Sequence, residues 1–168
     1  MEPDLREEFI QMITRYQGIL HKVCLIYFHN ETDRKDNFQE ILYQLWKAYP
    51  DLQKKGSMGS WIYKIAINTS IVKIRKDSRY VHSPVFPEIP DSSDFLGQYA
   101  WNENVRLLIS AIQSLNDMDK SLMFLYLEEK SYQEIADITG ISVSNVGTKI
   151  NRIKSQLKTT LKTLNHGE

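Results

Sequence analysis

The chain has 168 residues, 42% of them hydrophobic, which is enough to build packed cores and too many for a disordered tail. Its 21 basic and 21 acidic side chains cancel, and its single cysteine, Cys24, excludes an internal disulfide framework. The zero net charge hides segregation: residues 1–53 carry six Lys/Arg and nine Asp/Glu, residues 54–80 seven and one, residues 81–138 three and ten, and residues 139–168 five and one. Two concentrated cationic blocks can each neutralise phosphates and gain from counterion release, whatever the total.

The first residues, MEPDLREEF, are acidic and polar, unlike a signal peptide, and the apolar run Val23 to Phe28 is too short to span a bilayer. Phe9, Ile13, Tyr16, Leu20, Val23 and Tyr27 recur at alternating four- and three-residue steps, which predicts an amphipathic helix. Cys24 lies among these apolar residues and reads as a buried thiol, in keeping with a reducing cytoplasm. A polar break at Asn30-Glu31-Thr32-Asp33 precedes a second helix through Phe38, Ile41, Leu42, Leu45, Trp46 and Tyr49, closed by Pro50 and Asp51.

Gly56 to Gly59 reads as a loop. Trp61, Ile65, Thr69 and Val72 then mark the apolar face of a third helix that runs into Lys73-Ile74-Arg75-Lys76. This block mixes cations with aromatic and amide side chains. Trp61 and Tyr63 can stack on bases, Asn68 can bond a base edge, and Lys64, Lys73, Arg75, Lys76 and Arg79 can track phosphates. A core role competes for Trp61, which shares a face with Ile65.

Between Tyr80 and Gln98 the periodicity stops, and Pro84, Pro87 and Pro90 with Ser92, Ser93 and acids predict an extended acidic linker. Periodicity resumes at Val105, Leu108, Ile109, Ile112 and Leu115, and again at Leu122, Leu125 and Tyr126. The stretch Tyr132 to Lys154 predicts a helix, a tight turn at Thr139-Gly140-Ile141, and a second helix capped by Ser142 or Ser144. Ile135, Ala136 and Ile138 are placed to pack against Ile141, Val146 and Ile150. Gly147, Thr148, Lys149, Asn151 and Arg152 are left facing outward, as a recognition helix requires in a major groove. An ordinary helical hairpin in a core would share the apolar spacing.

The expected architecture is all-α: two small helical domains, residues 1–79 and 101–168, joined by a flexible linker over 80–100, the second domain a helix-turn-helix. The four histidines are scattered, and no cysteine cluster, phosphate-cradling glycine loop or nucleophile elbow is present, so neither catalysis, a metal nor a cofactor is expected.

Three motifs, in order, resemble the extracytoplasmic-function (ECF) group of bacterial RNA polymerase sigma factors, over nearly the whole chain. Asp36-Asn37-Phe38-Gln39-Glu40 followed by Leu45-Trp46 is similar to the family's polymerase-binding helix. Trp61 to Thr69, WIYKIAINT, is similar to the promoter-melting helix, and Tyr132-Gln133-Glu134-Ile135-Ala136 with Val146 to Arg152 resembles the family's helix-turn-helix. The resemblance implies a cytoplasmic factor that directs core RNA polymerase to promoter DNA. Asp36, Gln39 and Glu40 would bind polymerase. Tyr63, Lys64, Asn68, Arg75, Lys76 and Arg79 would open and hold the minus-10 element. Gly147, Thr148, Lys149, Asn151, Arg152 and Lys154 would read the minus-35 element. It also implies an anti-sigma factor as partner. The chain departs from the family pattern at Asn37 and Asn116, which replace an apolar residue and a frequent proline, and at Met58, Val72 and Lys120. A stand-alone helix-turn-helix regulator and a polymerase- or anti-sigma-binding module without DNA contacts are the competing readings.

Overall fold

The computed structural model describes residues 3–52, 56–76 and 103–166. These form seven α-helices and one 3-10 turn, without a strand among the described residues: α1 (Pro3–Tyr27), α2 (Glu31–Ala48), the turn Tyr49–Asp51, α3 (Met58–Lys76), α4 (Glu103–Gln113), α5 (Asp117–Leu127), α6 (Tyr132–Thr139) and α7 (Val143–Asn165). The all-helical expectation holds. The chain divides into two compact units, Met1–Tyr99 and Ala100–Glu168. The linker expected over 80–100 lies outside the described residues. No helix among those described is long and apolar enough to cross a membrane.

In the first unit α1, α2 and α3 pack pairwise against one another. The α1 stripe is buried at Phe9, Ile13, Leu20, Val23 and Tyr27, with Met12, Cys24, Ile26 and Phe28 widening it; Tyr16 is half-buried. Phe9 meets Trp46 and Tyr49 edge-on, at 4.8 and 5.3 Å between ring centroids, tying the end of α2 to the start of α1. The polar break after α1 turns out to be the beginning of α2. Asn30 caps it by accepting from the Asp33 backbone N–H at 2.8 Å, and Glu31 and Asp33 lie in a first turn whose exposed amides favour negative charge.

Two expectations for the third helix need correction. It begins at Met58, so Gly59 is helical rather than part of a loop. Its buried face is Ile62, Tyr63, Ala66, Ile67 and Ser70, not the stripe through Trp61, Ile65 and Thr69 to Val72, which is half-exposed or exposed. Apolar residues occur almost all round this helix, so spacing alone does not fix the phase. The structure chooses the phase that keeps Lys64, Asn68 and Arg75 in water.

One polar side chain from each helix meets inside this core. The Asn37 amide donates to Ser70 Oγ at 2.8 Å and to Cys24 Sγ at 3.4 Å, and Ser70 Oγ donates to the Ala66 carbonyl at 2.8 Å. Asn37 is fully buried, and its Oδ1 has no hydrogen-bond partner among the described residues. Burial pushes the Cys24 thiol up to about 12, against the opposing pull of the Asn37 hydrogen bond and the Arg34 charge.

The second unit is closed by caps. Asn116 Oδ1 accepts from the Asp119 N–H at 2.9 Å to start α5. Ser131 and Glu134 form a reciprocal capping box on α6. Ser142 rather than Ser144 caps α7, accepting from Asn145 N–H at 3.2 Å. Gly140 ends α6 at φ +81°, a conformation that costs glycine little, and its N–H donates to the Ala136 carbonyl at 2.8 Å. Ile135, Ala136, Ile138, Val146, Ile150, Ile153 and Leu157 are buried with Ile112, Leu122 and Leu125 behind them; Ile141 is half-buried.

Candidate nucleic-acid and polymerase interfaces

Three surfaces carry the side chains singled out in the sequence. On α2, Asp36 and Gln39 are exposed on the side away from the core. Glu40 is half-buried and accepts a hydrogen bond from Gln44 Nε2 at 2.9 Å. One turn of helix separates it from Asp36, but it looks toward α3 instead of outward with Gln39. The three proposed polymerase contacts are therefore split between an open edge and an interhelical groove.

On α3, Lys64, Asn68 and Arg75 are spaced by four and seven residues, which stacks them on one exposed stripe opposite the buried face, with Lys76 exposed beyond. Asn68 also borders the groove, whose walls are Glu40, Gln44 and Ala48 from α2 and Ile65, Asn68, Thr69 and Val72 from α3, enclosing about 350 Å³. Its lining mixes the amide, hydroxyl and carboxylate groups of Gln44, Asn68, Thr69 and Glu40 with the apolar Ala48, Ile65 and Val72. Tyr63, expected to meet DNA, is only 4% exposed, so its ring offers no face to a base. Trp61 lies half-buried with its ring 6.5 Å from that of Tyr49. Arg79 falls outside the described residues.

On α7, the buried line Val146, Ile150, Ile153 and Leu157 fixes the opposite side as the open one. Thr148 and Asn151 are exposed there. Gly147 and Lys149 are half-buried at the flanks. A Cβ added at Gly147 would lie 3.3 Å from Tyr132 Cε2, so the missing side chain makes room for the tyrosine that opens α6. The exposed Lys154 ammonium sits 4.1 Å from the centre of the Tyr126 ring, and the hydrogen bond to that side chain holds its pKa above the usual lysine value. Arg152 Nη2 donates to both carboxylate oxygens of Asp119, at 3.0 and 3.1 Å. The arginine side chain is 56% exposed and the aspartate 6%.

Comparison with known proteins decides what these surfaces belong to. The family model for sigma-70 region 2 matches residues 12–80, and that for sigma-70 region 4 matches residues 106–157. The RNA polymerase sigma factor YlaC of Bacillus subtilis (strain 168) is 30% identical over 153 residues, 85% of each chain. The chain belongs to the sigma-70 family of RNA polymerase sigma factors, in its ECF group. The ECF RNA polymerase sigma factor SigG of Mycobacterium tuberculosis (strain CDC 1551 / Oshkosh) is 28% identical over 92% of this chain, which spans 46% of that longer protein. Among solved structures, CnrH in complex with the cytosolic domain of CnrY superposes with a TM-score of 0.68 at 19% identity, covering 94% of this chain and 90% of that one. The sigma factor RpoE in complex with the anti-sigma factor NepR, from Bartonella quintana, does so with a TM-score of 0.67 at 16% identity, covering 96% and 98%. Both share the fold.

Two exposed side chains of α7 were not placed on its open side from the sequence, which offered Ser144 only as a possible cap and did not single out Ser155. Ser144 and Ser155 are exposed on α7 at four residues before and seven after Thr148, along the centre of its open side. Taking the helical phase from the four buried residues, instead of from the polar character of neighbours, would have found them. Thr148 Oγ1 donates to the Ser144 carbonyl at 3.1 Å and Ser155 Oγ to the Asn151 carbonyl at 3.3 Å, so both hydroxyls present their lone pairs outward as acceptors.

Proposed function

We propose that this sigma factor divides its work among the three surfaces. Residues 1–79 bind core polymerase through the α2 edge, at Asp36, Gln39 and Glu40, and open the minus-10 element along α3. Residues 101–168 read the minus-35 element with the open side of α7, and residues 80–100 connect the two. The factor works in the cytoplasm as a subunit and has no turnover of its own. An anti-sigma factor binds it, as NepR binds the sigma factor RpoE of Bartonella quintana.

The observation that carries this reading is the meeting of a cationic stripe and a groove at Asn68. Lys64, Arg75 and Lys76 supply the charge that holds a backbone in register, while Asn68 borders both that track and the recess. Unstacking a base costs a few kcal/mol, which a recess of this kind returns through burial and bonds to the base edge. The track alone would bind any nucleic acid; the recess converts binding into strand separation.

Transcription with purified core polymerase tests the proposal. Promoter-dependent initiation is expected, with permanganate-reactive thymines in the minus-10 region. Asn68→Ala should weaken melting by about tenfold or more at unchanged polymerase affinity, the cost of one good base contact. Failure to initiate at any promoter, or melting indifferent to Asn68, overturns it.

A further inference from the structure

Arg152 has the attributes of a base reader: it is a guanidinium on the recognition helix, on its exposed side. Its partner argues otherwise. Asp119, its side chain 6% exposed, lies on α5, and both of its oxygens receive the same Arg152 Nη2. The Asn116 amide adds a third bond, to Oδ2 at 3.1 Å, while Asn116 Oδ1 caps the helix that carries Asp119. A carboxylate this far from water requires a cation, and an arginine that turned to a guanine would strand it. Thr148, in contrast, spends its hydroxyl within α7, on the Ser144 carbonyl, and lies with Asn151 and Ser144 on the open side.

We propose that Arg152 is a positioning residue. Through Asp119 it locks α7 onto the N-terminal end of α5 and so sets the angle at which the recognition helix enters the groove. Base discrimination then falls to Ser144, Thr148 and Asn151, whose hydroxyl and amide groups suit adenine edges and thymine methyl and carbonyl groups better than guanine. This assignment rests on α7 being the minus-35 reader.

The test is promoter binding by the reconstituted holoenzyme on a panel in which every minus-35 base pair is replaced in turn. Arg152→Ala is expected to weaken binding by about ten- to a hundredfold on all sequences alike, leaving the order of preference intact. Asp119→Asn, a change beneath the helix and out of reach of DNA, should lower binding with the same unchanged order, and the double variant should be no worse than the poorer single one. Arg152→Lys keeps a cation against Asp119, so it should restore most of the affinity with the original preferences; it also serves if Arg152→Ala does not fold. A loss of preference at one base pair in Arg152→Ala or Arg152→Lys, with Asp119→Asn binding as the unaltered protein does, overturns the assignment. If the unaltered holoenzyme shows no preference at any minus-35 position, the reading of α7 falls, and this assignment with it.

Discussion

The two units hold their surfaces in opposite ways. In the first, α3 separates its duties: Ile62, Tyr63, Ala66, Ile67 and Ser70 face the core, and Lys64, Asn68 and Arg75 face solvent. Its interior polar device, Cys24–Asn37–Ser70, is built on the buried side of the helix. In the second, α7 is at once core wall, partner to a buried carboxylate through Arg152, and bearer of the open side on which Thr148 and Asn151 lie. A surface substitution on α3 therefore tests function almost cleanly, whereas one on α7 mixes function with placement.

The largest expected effect probes the interior of the first unit. Asn37→Ala removes the amide that joins three helices and leaves a void, and should destabilise by about 2 to 3 kcal/mol in urea unfolding. Asn37→Leu fills the volume and removes the unpartnered Oδ1, while Ser70 keeps its bond to the Ala66 carbonyl, so it should cost less than about 1.5 kcal/mol. Native-state hydrogen exchange should place the Asn37→Ala loss in α1 to α3 alone. Loss of protection in α5 to α7 as well would break the separation between the units.

Next in size is an alkaline effect at Cys24. Its thiol is pushed from 9.0 to about 12, chiefly by burial, so the folded chain keeps a proton that the unfolded chain releases. Stability from this group is complete below about pH 9 and is lost as pH climbs toward 12. One pH unit into that window corresponds to roughly 1.4 kcal/mol. Comparing Cys24→Ala with the unaltered protein by urea unfolding between pH 8 and pH 10.5 should show a shallower fall for the variant; parallel curves would mean that the thiol ionises without unfolding.

How much of this was legible depended on how evenly apolar residues surround each helix. The α1 stripe and the helix-turn-helix could be read because their apolar residues recur on one side only; Gly140 marked the turn, while the cap was narrowed only to Ser142 or Ser144. The phase of α3 could not, because Ile65, Ile71, Val72 and Ile74 dilute the periodicity, and Tyr63 was consequently placed on DNA instead of in the core. Asn37 read only as a departure from the polymerase-binding motif, since only the fold brings Cys24 and Ser70 to it across 13 and 33 residues. The Arg152–Asp119 pair, also 33 residues apart, was hidden for the same reason. Local pattern reports which residues share a helix face; it does not report what that face meets.

Smaller effects sharpen the account of the second unit. Gly140→Ala forces a side chain onto φ +81° with nothing within 4 Å to clash, so the cost should be the backbone penalty alone, about 1 kcal/mol in thermal or urea unfolding. Gly147 is subtler. In a helix interior, alanine is favoured over glycine by about 1 kcal/mol, yet here its Cβ would press on Tyr132 at 3.3 Å. Tyr132 is 36% exposed, so its ring can swing aside, and the two terms should nearly cancel, leaving Gly147→Ala within about 0.5 kcal/mol of the unaltered protein. In a Tyr132→Ala background the pressure is gone, and the same substitution should stabilise by roughly 1 kcal/mol. Promoter affinity should stay unchanged in either background, because the missing side chain serves the tyrosine and not the DNA. A promoter defect in Gly147→Ala at normal stability would return Gly147 to the reading face and erase part of the contrast between α3 and α7.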